Sequence, residues 1–348
     1  MINKKLLAEI CEVAGAPGHE QRVREIVIKQ VKPLVDEIRI DNMGNVVAIK
    51  KGKERKKVMI AAHMDEIGFI VTHVDDQGFI YFHTLGGFDP KTLTAQRVII
   101  HGKKDVIGVM GSKPIHLMSV ADRAKVPTIK DYFIDTGMTK KELDKLISVG
   151  DTITRDRKLI EMGECLNCKS MDNRVSVFIL IEMLREMKNT PAYDVYAVFT
   201  VQEEIGIRGA NVSAMDINPD FGFGLDTTIA WDTPGSTKQE RVSALGEGAC
   251  IKVMDSSTVC DYRMVAYMKE IAQKKKIKTQ LEILPAGGTD TSGIQRMNPG
   301  GSIAGAVSIP TRHIHQVIEM VNKKDVRSAI DLLRGCVENL HLYDWNFK

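Results

Sequence analysis

Apolar residues recur at helical spacing from the first residues of the chain. Leu6, Leu7, Ile10, Cys11 and Ala14 fall on one face of a predicted helix over 4–14. Ala16-Pro17-Gly18-His19 breaks it, and Val23, Ile26, Val27, Val31 and Leu34 mark a second helix facing the core. Residues 38–49 read as a hairpin turning at Asn42-Met43-Gly44-Asn45. The basic run KKGKERKK over 50–57 then reads as a solvated hairpin loop. Val58-Met59-Ile60-Ala61-Ala62 is a continuous apolar run, suited to a strand covered on both faces.

The pattern changes after Asp65. Residues 68–87 alternate and turn, and 97–110 continue in short strands punctuated by Gly and Lys/Asp turns. One helix-like piece near 139–147 and a strand at 151–155 complete this β-rich block. Around Met162 helices again alternate with strands. Helices are predicted at 176–187, 262–274 and 325–340, and strands at 193–201, 221–225, 249–254, 279–284 and 302–309. Such alternation implies an α/β fold: a three-layer mixed sheet covered by helices on both faces. The expected organisation is a discontinuous catalytic domain, 1–65 with 162–348, carrying an inserted, small β-barrel-like domain at 66–161.

Composition narrows the function classes. The chain has 348 residues, 43% hydrophobic and 27% charged, as in an ordinary globular protein. Lys plus Arg number 48 against 45 acids, and a net charge of +3 makes no electrostatic case for nucleic acid or an anionic membrane. No secretory signal and no bilayer-length apolar run is visible. Six Cys without a regular framework fit reduced thiols in a cytoplasm, and Cys165/Cys168 lack the second pair a zinc site would need.

Candidate chemistry gathers at predicted strand ends, where open α/β sheets bind ligands. His63 follows the 58–62 strand, with Asp65 two residues on. Glu203 and Glu204 close the 193–201 strand, in VQEEIGIRGA. Asp226 ends FGFGLD, His313 and His315 follow the 302–309 strand, and Asp172 opens a helix in KSMDNR. Singly each is weak; Asp172 alone would be a helix N-cap and Asp226 a turn former. As a set, nitrogen and oxygen donors without thiolate suit Zn²⁺, Co²⁺ or Mn²⁺. Two imidazoles with three or more carboxylates exceed one tetrahedral ion, whereas two ions about 3.5–4 Å apart, sharing a bridging carboxylate, use them all. One of Glu203 and Glu204 can then bind metal while the other takes a proton from water; the residues alone do not choose between them, nor between His313 and His315. Asp65 fits a supporting role, accepting the other ring N–H of His63. Gly287-Gly288-Thr289-Asp290 reads equally as a turn capping a helix and as a wall of the substrate pocket. Thr227, Thr228 and Arg312 stand near ligands with no assigned role.

AAHMDEIGF, SMDNR, VQEEIGIRGA, GLDTT, AGGTDTSGI and SIPTRHIHQ, in this order, resemble the tetrahedral metallo-aminopeptidases. This family comprises glutamyl and deblocking enzymes, some labelled endoglucanase, and the resemblance spans nearly the whole chain. It implies two divalent ions per subunit, Zn²⁺ or Co²⁺, with His63 and Asp226 as terminal ligands and Asp172 bridging. Glu204 and His315 would complete the set, a hydroxide shared by the ions would be the nucleophile, and Glu203 the general base. His313 becomes a neighbour of the site. The substrates implied are peptides with free amino termini, and the assembly a homododecamer built from dimers through the inserted domain. Two other readings differ in class. A glycosidase of the endoglucanase type works with two metal-free carboxylates and sugar-stacking aromatics, but here acids come with histidines and aromatics make up 5%. A non-catalytic cage would have no need of the complete ligand set.

Overall fold

The computed structural model describes residues 2–347. An eleven-stranded mixed sheet forms its centre, and a six-stranded closed barrel sits beside it. In the large sheet Tyr193–Thr200, Glu54–His63, Phe221–Ile229 and Ile303–Arg312 lie side by side and all parallel. Their carboxyl ends therefore share one edge, and that alignment makes the site. Glu37–Ile40 and Val46–Lys50 extend one flank as the expected hairpin. On the other flank, Glu319–Asn322, Cys165–Cys168 and Ile160–Met162 follow in antiparallel order. Ala249–Met254 pairs with Ile303–Arg312 and carries Thr279–Ile283.

Both faces are covered. In the strand Glu54–His63, Val58, Ile60 and Ala62 point into one core, under the helices Lys4–Glu12, Gln21–Val31, Met171–Glu186 and Lys323–Asn339. Met59 and Ala61 point into the opposite core, with Ala214 and Ile217 of the helix Arg208–Ile217 and Ile294 of Asp290–Arg296. The continuous apolar run is thus a strand buried on both faces, as its composition requires. Gly222 and Gly224 matter for the second layer. A Cβ on Gly222 would come 2.1 Å from Ile294 Cγ2, and one on Gly224 would come 2.0 Å from Thr291 Oγ1. Without side chains there, the helix Asp290–Arg296 lies directly on the strand that carries Asp226, which runs three residues beyond it to Ile229.

The barrel runs Gly68–Val74, Ile80–Leu85, Tyr132–Asp135, Asp105–Ser112, Arg97–His101, Thr152–Arg155 and back to the first strand. It has its own core, with Phe69, Val71, Ile80, Val98, Ile100, Ile134 and Ile153 buried. The helix-like piece near 139–147 is a single turn, Lys140–Leu143, closed by a capping box between Thr139 and Glu142.

One expectation is corrected. The run 50–57 is not a hairpin loop: Val46–Lys50 and Glu54–His63 are not neighbours, because Tyr193–Thr200 lies between them. Residues 54–57 already belong to a strand whose exposed start carries the Lys and Arg side chains. Charge patterning marks exposure, and here the exposed stretch is the solvated end of a long strand.

Candidate metal centre

The loop after Thr200 carries the two adjacent acids and is pinned at base and middle. Asn45 clasps the base: its Oδ1 accepts from the Val201 amide at 2.9 Å and its Nδ2 donates to the Gly209 carbonyl at 3.2 Å. Asp65 holds the middle, its two carboxylate oxygens accepting from the amides of Glu203 at 3.0 Å and Glu204 at 3.1 Å. Gln202, in the left-handed region at φ 56°, donates its amide to Glu20 Oε1 at 3.2 Å. Further on, the Gly206 and Ile207 amides both donate to the Glu203 carbonyl at 2.9 Å.

The side chains converge. His63 Nε2 lies 3.3 Å from Asp172 Oδ1, 3.7 Å from Glu203 Oε2 and 3.7 Å from Asp226 Oδ1. Its Nδ1 is 3.1 Å from the Asp65 carbonyl, which can only accept, so the proton sits on Nδ1 and Nε2 faces the acids. His315 Nε2 lies 3.4 Å from Asp172 Oδ2 and 3.3 Å from Glu204 Oε2. Asp172 thus turns one oxygen to each histidine. It stands where backbone geometry departs from the helix Met171–Glu186, at φ −77°, ψ 107°, with a cis peptide to Asn173. Glu319 accepts from its amide at 2.8 Å.

Four carboxylates face two imidazoles, nearly all buried. Burial pushes Glu203 well above its ordinary pKa, against the pull of His63, and raises Glu204 and Asp226 as well. Burial pulls His63 down, but hydrogen bonds to Asp172, Asp226 and Asp65 outweigh it and leave the imidazole well above its usual range. His315, 39% exposed, is likewise pushed up to about 11, the Glu204 charge overcoming desolvation. For Asp172 the two histidines outweigh burial and hold the carboxyl well below its usual value. Glu204 Oε1 has no hydrogen-bond partner among the described residues although it is buried. His63, Asp172 and Glu204 each offer a ligand atom within 4.8 Å of the others. Excess buried negative charge, an orphaned oxygen and converging N and O donors fit divalent cations.

The cluster opens into a cavity of about 760 Å³. Its walls come from Gly206 and Ile207, Thr227–Trp231, Leu284, Ala286–Thr289 and the turn 311–316. Lys252, also in the lining, is paired with Asp255 at 3.0 Å and Glu282 at 3.1 Å. Those acids raise its pKa despite burial.

All five residues expected to ligate metal, with Glu203 and Asp65, meet at this edge. Asp65 spends its carboxylate on the two glutamate amides and reaches His63 Nδ1 with Oδ1 only at 3.5 Å; its main-chain carbonyl is the nearer partner. His313 lines the cavity and is exposed. Thr289 occupies the N-cap position of the helix Asp290–Arg296 without a side-chain capping bond, and with Gly287 and Gly288 it lines the cavity. Arg312 forms a two-pronged ion pair with Asp232, at 2.7 and 2.8 Å. Asn45, Glu20, Glu319 and Arg155 were not singled out from sequence. Glu319 carried a signal, a single acid inside the otherwise apolar run VIEMV; Asn45, inside a predicted turn, carried none.

A family profile described as M42 glutamyl aminopeptidase matches residues 44–332. The chain belongs to this aminopeptidase family. A putative aminopeptidase of Acetivibrio thermocellus is 37% identical over 329 residues, covering 94% of this chain and 96% of its own. Among solved structures, an aminopeptidase from the archaeon Desulfurococcus kamchatkensis superposes with a TM-score of 0.92 at 38% identity, covering 96% and 94% of the two chains. The TET1 peptidase of Pyrococcus horikoshii, described as able to assemble into a tetrahedron or a large octahedral shell, gives 0.86 at 28% identity, covering 96% and 98%. No helix among the described residues is long and apolar enough to cross a membrane.

Proposed function

We propose that this aminopeptidase is dinuclear, with His63 and Asp226 holding one divalent ion, Glu204 and His315 the other, and Asp172 shared. The observation that carries the reading is Asp172, whose Oδ1 faces His63 and whose Oδ2 faces His315. Zn²⁺ or Co²⁺ held there supplies Lewis acidity to a carbonyl and acidifies water. Glu203 is the proton carrier. Its carboxylate opens onto the cavity, and burial makes it a better base than an exposed glutamate. It accepts a proton from the attacking water at a carboxylate oxygen and delivers it to the leaving amine. Asp65, by gripping both amides, fixes Glu203 and Glu204 at a constant spacing. The cavity receives the amino-terminal residue of a peptide and shields the reaction from bulk water.

Self-association belongs to the same reading. Ile107, Val109, Ile115, Leu117, Val120 and Val126, on and beside the barrel, are 46–86% exposed, a surface suited to a second copy of the chain. With the shell-forming relative, this supports a homododecamer built from dimers, with residues 66–161 as the oligomerisation domain. Residence in the cytoplasm is part of the reading, in keeping with six free cysteines.

The test strips metal with a chelator, reloads Zn²⁺ or Co²⁺, and assays aminoacyl anilides, amino-terminally blocked peptides and soluble cellulose. Free aminoacyl substrates alone should be cleaved, and only after reloading. Cellulose hydrolysis that survives the chelator would sink the proposal.

A further inference from the structure

The two histidines of the centre are oriented by different means. His63 is steered through its ring, by the hydrogen bond from Nδ1 to the Asp65 carbonyl. His315 has no hydrogen bond at Nδ1 among the described residues, so its direction depends on the main chain that carries it. That main chain is a turn, 313–318, between strands that pair only at Thr311 with Val321 and Arg312 with Met320. His313 and His315 both lie in the left-handed region, at φ 63° and 59°, and the Gln316 amide donates to the His313 carbonyl at 3.2 Å. Gln316 and Ile318 are exposed. The turn has little packing of its own to fix it.

What fixes it comes from the barrel. Arg155, the last residue of the strand Thr152–Arg155, is 2% exposed and donates from Nη1 to the Gln316 carbonyl, one residue from His315. The guanidinium lies over the Phe88 ring, 5.8 Å from its centroid, and 3.9 Å from both Glu66 and Glu319. Beside Phe88, Gly87 comes so close that a Cβ there would be 3.3 Å from His315 Nδ1.

We propose that Arg155 is a positioning residue: by tethering the Gln316 carbonyl it aims His315 at Asp172 and Glu204, so that the barrel completes the metal centre. This rests on the ligand assignment above. A planar, forked side chain suits the task, since it can stay between two acids while one nitrogen reaches a carbonyl. Lysine keeps the charge and loses the fork.

Calorimetric titration of chelator-stripped protein with Co²⁺ tests the proposal in wild type, His315→Ala, Arg155→Lys and Arg155→Met. Wild type should take up two ions per chain, and His315→Ala should weaken one of them. Arg155→Lys should weaken the same ion by about 10–100-fold, the range found when a ligand's supporting partner is removed. It should leave the other ion and the assembly mass unchanged. Its kcat should return at raised Co²⁺ with KM unaltered, which a general loss of stability would not produce. Wild-type affinity for both ions in Arg155→Lys, and in Arg155→Met where it folds, would overturn the proposal. Should Arg155→Met not fold with Glu66 and Glu319 uncompensated, Arg155→Lys decides alone. If His315→Ala kept both ions, the ligand assignment itself would fall, and the role of Arg155 with it.

Discussion

Two buried clusters of charge lie side by side, joined through Glu319, and they are balanced differently. In the first, Lys169, Arg174 and Arg155 surround Glu66 and Glu319. Three cations there answer two acids, and Arg174 also donates to the carbonyls of Ile10 and Val13. In the second, Asp172, Glu203, Glu204 and Asp226 have only His63 and His315 as ion-pair partners among the described residues, with Lys252 acting on Asp226 from further away. The first cluster carries its own counter-charge and ties helices, sheet and barrel together. The second falls short of it, and the proposed metal centre rests on that deficit: a buried acid cluster left under-neutralised by the protein suits cations taken from outside.

The comparison can be broken at several points. The largest effect is expected from Glu203→Gln, which removes the proposed proton carrier while keeping the side chain's size. Turnover should fall by about 10²–10⁴-fold with two ions still bound by elemental analysis. Retention of more than about a tenth of the rate, well short of that range, would mean another group does this work. In the balanced cluster, Lys169→Met should leave Glu66 short of its nearest cation and cost roughly 3–5 kcal/mol in denaturant unfolding. A cost near zero would show that Arg155 and Arg174 suffice. Chelation should destabilise the wild type by about 3–4 kcal/mol relative to metal at 100 to 1,000 times its dissociation constant, read as a shift in thermal midpoint. An unchanged midpoint would contradict the cation deficit of the second cluster.

The smallest effect concerns a third way of handling a buried acid. Glu20 is 1% exposed and has no ion-pair partner among the described residues; its carboxylate accepts from the amides of Gly18 and Gln202. Burial, helped by the Asp65 charge, pushes it up to about 7. A carboxyl raised in the folded state holds its proton there while the unfolded chain releases it. Stability is therefore greatest below the unfolded value and declines as pH rises from about 4.5 to about 7. Glu20→Gln should remove that decline, gaining up to roughly 3 kcal/mol over wild type at pH 8 and little at pH 4. Parallel stability profiles for the two proteins would rule this out.

The ends of the buried strands were legible because their patterns are local. A continuous apolar run announced Val58–Ala62, and the donor after it was then in place. The converging set could be read for the same reason: parallel strands end on one edge, so residues far apart in sequence meet without further information. Two things could not be read. Strand order escaped, because pairing Tyr193–Thr200 between Val46–Lys50 and Glu54–His63 depends on contacts about 140 residues apart. The partners of the proposed ligands escaped too. Asp65 gripping two amides, and Arg155 holding a carbonyl, are main-chain contacts, and main-chain atoms have no sequence signature. The six quoted motifs supplied what spacing alone could not, a choice between Glu203 and Glu204.

The loop 201–209 is anchored at Asn45 and again at Asp65, while its tip, Gly206 and Ile207, forms cavity wall. The side-chain anchors and the cavity-facing side chain are thus separate parts of one short segment. Exchange of the Ile207 side chain changes what a substrate meets, while the amides of residues 206 and 207 go on donating to the Glu203 carbonyl and Gly206 keeps the turn at φ 123°. Preference and reactivity can then evolve on separate schedules within ten residues of chain.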